Sequence, residues 1–176
     1  MPEAPEIIEM RKNSENREYV LKTVSDNGKL LEFADEGFHN DREIVLSAVK
    51  NNPEALEFAS LNLKKDREIV YESVSKLGWT YCYVDESLKN DKELLLAGLE
   101  KSGQILYFAS KEMRDDKDVI MKAVSNKPII IKYASKRMRN DLDVGLAVMN
   151  KNKKCFRFLE PELQKNEKIQ EIKNAE

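Results

Sequence analysis

One histidine, two cysteines and a few close-set aspartates are the residues of this 176-residue chain best suited to chemistry. His39, as the sole histidine, rules out His-Glu-x-x-His zinc sites, multi-histidine metal clusters and acid–base layouts that need a second imidazole. Its partner as a base would have to be Cys82 or a serine. Its register instead places it in a column with Lys64, Lys89, Arg114 and Arg139, which reads as a solvated basic position in a connecting loop. Cys82 and Cys155 stand too far apart for a cysteine-based zinc site or a disulfide framework to be expected. Asp115, Asp116 and Asp118, and again Asp141 and Asp143, have the spacing of carboxylate metal ligands. Both clusters fall on the recurring cap register, and capping explains them. No glycine-rich phosphate loop, dinucleotide fingerprint or nucleophile elbow occurs. The expectation is a protein that is not an enzyme and takes no metal or cofactor.

The element that positions all of these residues is an internal repeat. Asp41, Asp66, Asp91, Asp116 and Asp141 recur every 25 residues, and Asn16 and Asn166 extend the register to either side. Each opens a unit as an N-cap, whose side-chain oxygen accepts from free first-turn amides. An acidic residue two positions on suits the positive end of the helix dipole, as in Glu43 and Asp118. Apolar residues then follow at helical spacing: Ile44, Val45, Ala48 and Val49 in one unit, Val119, Ile120, Ala123 and Val124 in another. Gly28, Pro53, Gly78, Gly103 or Pro128 ends the first helix; the sixth unit has Lys153 there. A second helix carries an aromatic in every unit, Phe33, Phe58, Tyr83, Phe108, Tyr133 and Phe158, and this column is expected to be core. A unit of this size cannot bury its apolar face alone, so neighbours must stack. The expected fold is an all-α solenoid of six 25-residue two-helix repeats over residues 16–165. Residues 1–15 read as an N-terminal extension and 166–176 as a terminal stub or cap.

The unit DREIVLSAVKNNPEALEFAS (41–60), and more loosely DKDVIMKAVSNKPIIIKYAS (116–135), resembles a tandem-repeat family of microbial proteins catalogued as a domain of unknown function, number forty-one sixteen. The likeness covers about residues 16–165. It implies a helical, repetitive protein and carries over no activity and no catalytic residue. The third unit departs from the pattern at Trp79 and Tyr81 to Val84, the sixth at Gly145 and Lys153.

Two surface features point to binding. The position after the breaker reads Lys29, Glu54, Trp79, Gln104, Ile129 and Lys154, and the position three further on reads Glu32, Glu57, Cys82, Tyr107, Lys132 and Arg157. Charge in several units places both columns in water, on one side of the second helix. Trp79, Cys82, Tyr107 and Ile129 are then an apolar group where the outer repeats carry charge, the composition of an interface centre. The second feature is cationic: Lys132, Lys136, Arg137, Arg139, Lys151, Lys153, Lys154 and Arg157, a candidate contact for phosphates or another anion.

Composition sets the remaining bounds. The chain is 41% hydrophobic and 35% charged, too apolar for disorder. Its net charge of −2 conceals an asymmetry, −8 over residues 1–100 and +6 over 101–176. There is no signal-like h-region and no apolar run long enough to span a bilayer, so the expected location is cytoplasmic, or a host cell reached without a readable signal. The expected function is a non-enzymatic protein–protein interaction scaffold, such as an effector, inhibitor or adaptor, whose partner is another protein rather than a membrane. The alternative is nucleic-acid or phosphate-ligand binding through the basic C-terminal repeats.

Overall fold

Ten-residue α-helices alternating with six-residue 3-10 helices make up most of the chain. The computed structural model describes residues 4–175, and among them there is no strand. The fold is an all-α repeat solenoid. Contacts divide it into two compact units, one ending at Leu88 and the other beginning at Lys89. In the first unit the long helices are Arg17–Asp26, Arg42–Asn51 and Arg67–Lys76, followed by short helices Gly28–Phe33, Pro53–Phe58 and Gly78–Tyr83. In the second they are Lys92–Lys101, Lys117–Asn126 and Leu142–Lys151, followed by Gly103–Phe108, Pro128–Tyr133 and Lys153–Phe158. The caps act as expected: the Asp41 carboxylate accepts the amide N–H of Glu43 and Ile44, and Asp116 accepts that of Val119.

The second helix of each repeat is a 3-10 helix rather than an α-helix, which changes what it buries. Only six residues separate the breaker from the next turn, and the closing amide bonds three residues back, as Ala34 N–H does to the Leu31 carbonyl at 3.1 Å. With three residues per turn, residues three apart eclipse. Gly28, Leu31 and Ala34 therefore share one line, facing inward, while Lys29 and Glu32 share another, facing water. Leu30 and Phe33 occupy the third. The inner line is the true core column: Leu31, Leu56 and Tyr81 in the first unit, Leu106 and Ile131 in the second, all fully buried. The aromatic column expected to be core lies instead at the edge of the third line. Phe33, Phe58, Tyr83, Tyr133 and Phe158 are half-buried and Phe108 is 42% exposed. Cations cover several of these rings: Arg11 over Phe33 at 5.2 Å, Lys132 over Tyr133 at 4.7 Å and Arg157 over Phe158 at 4.7 Å.

Neighbouring repeats are tied by polar contacts that recur at fixed spacing. In four repeats a cation directly after the cap reaches the next repeat's cap and first-turn acid. Arg17 donates to Asp41 at 2.7 Å and to Glu43 at 2.7 Å; Arg42 does the same to Asp66 and Glu68. In the second unit Lys92 donates to Asp116 and Asp118, both at 2.8 Å, and Lys117 to Asp141 and Asp143. The hydrogen bond from Arg17 holds the Asp41 carboxyl below its usual range. Partial burial opposes this at Asp116, but the Lys92 ammonium and the Val119 amide still hold its carboxyl low. Backbone bonds add a second tie, Ser60 N–H to His39 O at 2.8 Å and Ser135 N–H to Arg114 O at 2.9 Å. A third comes from the last long-helix residue, whose side chain donates to the preceding helix end: Asn51 to the Ser25 and Asp26 carbonyls, Lys76 to Lys50 O and Lys151 to Ser125 O.

The column of His39 is not the solvated basic position its register suggested. His39 Nε2 lies 3.0 Å from the Leu31 carbonyl oxygen, Lys64 Nζ donates to Glu57 O at 2.6 Å, and Gln164 donates to Leu159 O at 2.8 Å. These side chains serve carbonyls at or just past the end of their own short helix, the Leu31 oxygen in addition to the Ala34 amide. Lys89 of the same column is buried, and desolvation pushes the Lys64 ammonium down from its usual range.

The ends of the described chain are helical. Pro5–Lys12 packs on the first short helix and buries Met10, and Glu167–Asn174 packs on Leu142–Lys151 and buries Ile169.

Candidate functional site

The water-facing line of the short helices is where repeats differ most, and it carries the apolar residues singled out from the sequence. In the first unit Trp79 is 38% exposed and Cys82, one 3-10 turn later on the same line, is half-buried. The Trp79 ring meets Tyr83 edge-on, centroids 5.4 Å apart at 63°. The Tyr83 phenol donates to Glu57 Oε2 at 2.8 Å, and burial together with that carboxylate pushes the phenol up. The local irregularity of this repeat has a packing cause. Tyr81 replaces the leucine of the inner column, and beside it two buried hydroxyls satisfy each other, Ser73 to Thr80 at 2.7 Å and Thr80 to Leu77 O at 2.8 Å.

In the second unit Tyr107 and Ile129 come together. They line one cleft of about 440 Å³ with Phe108, Ile130, Tyr133 and the flanking Gln104, Lys127 and Lys132. Tyr107 is 57% exposed and stands edge to face with both neighbours, 5.1 Å from Phe108 at 82° and 5.1 Å from Tyr133 at 67°. Ile130 and Ile131 are buried and fix the floor against the core, while Ile129 is half-buried at the cleft wall. Phe108 and Tyr133 were assigned to the core from their column, and so were missed as surface residues. The signal that would have found them is the period: counted in threes rather than by α-helical spacing, they leave the inner line.

The basic group is less available than its composition implies. Arg137 pairs with Asp115 at 3.0 Å and Arg139 with Glu160 at 2.7 Å, two acids contributed from outside the cluster. Bonds from Ser135 and then Arg137 hold the Asp115 carboxyl low. Lys151 and Lys153 donate to the carbonyls of Ser125 and Ala175, while Lys132 and Arg157 lie over aromatic rings. Lys136 and Lys154 are exposed and make no ion pair among the described residues. Lys136 and Arg137 face Glu160 and Glu162 across a second cleft of about 450 Å³, so its lining is of mixed sign.

Of the aspartates with metal-like spacing, Asp116, Asp118, Asp141 and Asp143 are occupied by the lysine clamps and by capping, and Asp115 by Ser135 and Arg137. Among the described residues no group of three or more His, Cys, Asp or Glu could hold an ion. None of the described helices is long and apolar enough to cross a membrane.

The model of a family described as a domain of unknown function, DUF4116, matches the chain three times, at residues 16–64, 66–114 and 116–164. Each match spans two of the 25-residue units. No curated protein and no solved structure matches the chain.

Proposed function

The chain belongs to the DUF4116 family of tandem repeats, and from its surface chemistry we propose that it is a non-enzymatic protein–protein interaction scaffold. The observation that carries the proposal is the Tyr107–Ile129 cleft. Positions that hold a Lys–Glu ion pair in the first unit, Lys29 with Glu54 at 2.9 Å, hold Gln104 and Ile129 in the second. An open apolar cleft ringed by aromatic side chains costs solvation in the free protein and is typical of interface centres. Trp79 offers a further apolar contact on the first unit. An adaptor, inhibitor or effector acting in a cytosol fits this surface.

The competing reading, nucleic-acid or phosphate-ligand binding through the basic repeats, is weaker. Arg137, Arg139, Lys151 and Lys153 already serve intramolecular partners. It predicts an affinity whose logarithm falls with the logarithm of salt by about one unit per phosphate neutralised.

The test is partner capture from the native cell by wild type and by the Tyr107→Asp/Ile129→Asp variant. Capture is expected to be lost while helical circular dichroism and melting temperature stay near wild type. Capture that survives the double substitution in a folded protein refutes the proposal.

A further inference from the structure

We infer that the Tyr107–Ile129 cleft receives an acidic protein segment bearing a bulky apolar anchor residue, an assignment that rests on the interaction reading above. No residue that lines the cleft, from Gln104 to Tyr133, is an Asp or Glu. The lining does include two cations, Lys127 and Lys132. The corresponding surface of the first unit carries acids instead: Glu54 pairs with Lys29, and Glu57 accepts from the Tyr83 phenol. In the second unit the same two columns give Ile129 and Lys132, and the two cations of the lining meet no acid within it. Charge complementarity of this kind steers and orients a partner, and the apolar floor of Phe108 and Ile130 supplies the area an anchor would bury.

The same geometry disfavours a single-stranded nucleic acid. Base stacking needs open ring faces. Here Lys132 Nζ lies 4.7 Å over the Tyr133 ring and Lys89 Nζ 5.9 Å over that of Phe108. Tyr107 meets both rings edge to face, so no ladder of parallel platforms exists. Ile129 and Ile130 offer no π-face at all. A cleft that is aliphatic at its floor and cationic at its rim suits a side chain set among carboxylates.

The experiment uses the full chain and a fluorescein-labelled dodecapeptide of glutamates and aspartates around a Leu-Trp-Leu centre, read by fluorescence anisotropy. Three further probes are the peptide with serines at its centre, the peptide with lysines for its acids, and a dodecamer of uridylate. The anchored acidic peptide is expected to bind best, and the Lys127→Glu/Lys132→Glu variant to bind it roughly tenfold more weakly, since two rim charges reverse. That variant should in turn bind the lysine peptide better than wild type does. Both lysines are exposed, so the variant keeps its fold, and Ile129→Asp provides a second, anchor-directed loss. The inference is overturned if the anchored acidic peptide does not bind, if the serine or lysine peptide binds wild type as well, if the variants make no difference, or if the uridylate binds more tightly. Loss of native capture in Tyr107→Asp/Ile129→Asp together with silence from the acidic peptide would leave the scaffold standing and remove only the acidic partner.

Discussion

Replacing Asp41 separates the two tasks that the cap residues of this array perform. Its carboxylate accepts two first-turn amides, Glu43 N–H at 3.1 Å and Ile44 N–H at 3.3 Å, and it also receives Arg17 of the preceding repeat at 2.7 Å. Asp41→Ala removes both tasks. Losing an N-cap costs about 1 kcal/mol, within a range of roughly 0.5–2, and in a chain of this size each kcal/mol moves the melting midpoint by about 2–4 °C. Asp41→Asn keeps an oxygen for the amides and weakens only the tie to Arg17, so it should lose clearly less. Arg17→Ala leaves the cap intact and should also lose less than Asp41→Ala. Because the folded Asp41 carboxyl titrates below its ordinary value of 3.8, its contribution is present above that pH and is lost as the pH falls through the depressed folded value. The gap between wild type and Arg17→Ala, measured by urea denaturation at neutral pH, should therefore close in acid. An Asn variant as damaged as the Ala variant, or an Arg17→Ala gap indifferent to pH, would refute the account of the cap and of the ladder respectively.

Two further substitutions test the packing. A Cβ on Gly28 would lie 2.2 Å from the Ala48 carbonyl oxygen, a backbone atom with no freedom to turn away, whereas on Gly103 it would meet Ala123 O at 3.2 Å. Gly28→Ala should cost about 1–3 kcal/mol and Gly103→Ala less, in urea midpoints; the reverse order would show that the carbonyl approach does not set these glycines. Tyr81→Ala empties a fully buried site and should cost about 3–5 kcal/mol. Phe108→Ala should cost a small part of that, and equal losses would mean that the aromatic column is core after all.

The repeat, its 25-residue period and its caps were legible because they are local: an aspartate before an amphipathic stretch needs no knowledge of the neighbour to be read. What escaped was the type of the second helix. Six residues between a Gly or Pro and the next turn are compatible with either helical period, and the choice decides whether Phe58 or Leu56 meets the core. In the 3-10 helix Leu56 does. The cation column Arg17, Arg42, Lys92 and Lys117 also went unread, since its partners lie 24 and 26 residues ahead. A search across units at that offset would have found it. His39 and Lys64 were taken for surface because polar types usually are, yet they serve carbonyls of their own repeat.

These ties explain why this fold can vary its surface without changing its core. The inner line of each short helix, the cap and the reaching cation contact neighbouring repeats, so a change there is felt beyond its own unit. The outer line, Lys29 with Glu32 or Gln104 with Tyr107, faces water, and its contacts with the next repeat are made at the surface rather than in the core. In the first unit the outer line joins neighbouring repeats through Lys29 and Glu54. In the second, the same positions give up that ion pair for an apolar cleft with cations at its rim. An exposed pair of that kind contributes little to stability, of the order of 1 kcal/mol or less, so its replacement by Gln104 and Ile129 leaves the stack intact and makes the outer line available for a partner.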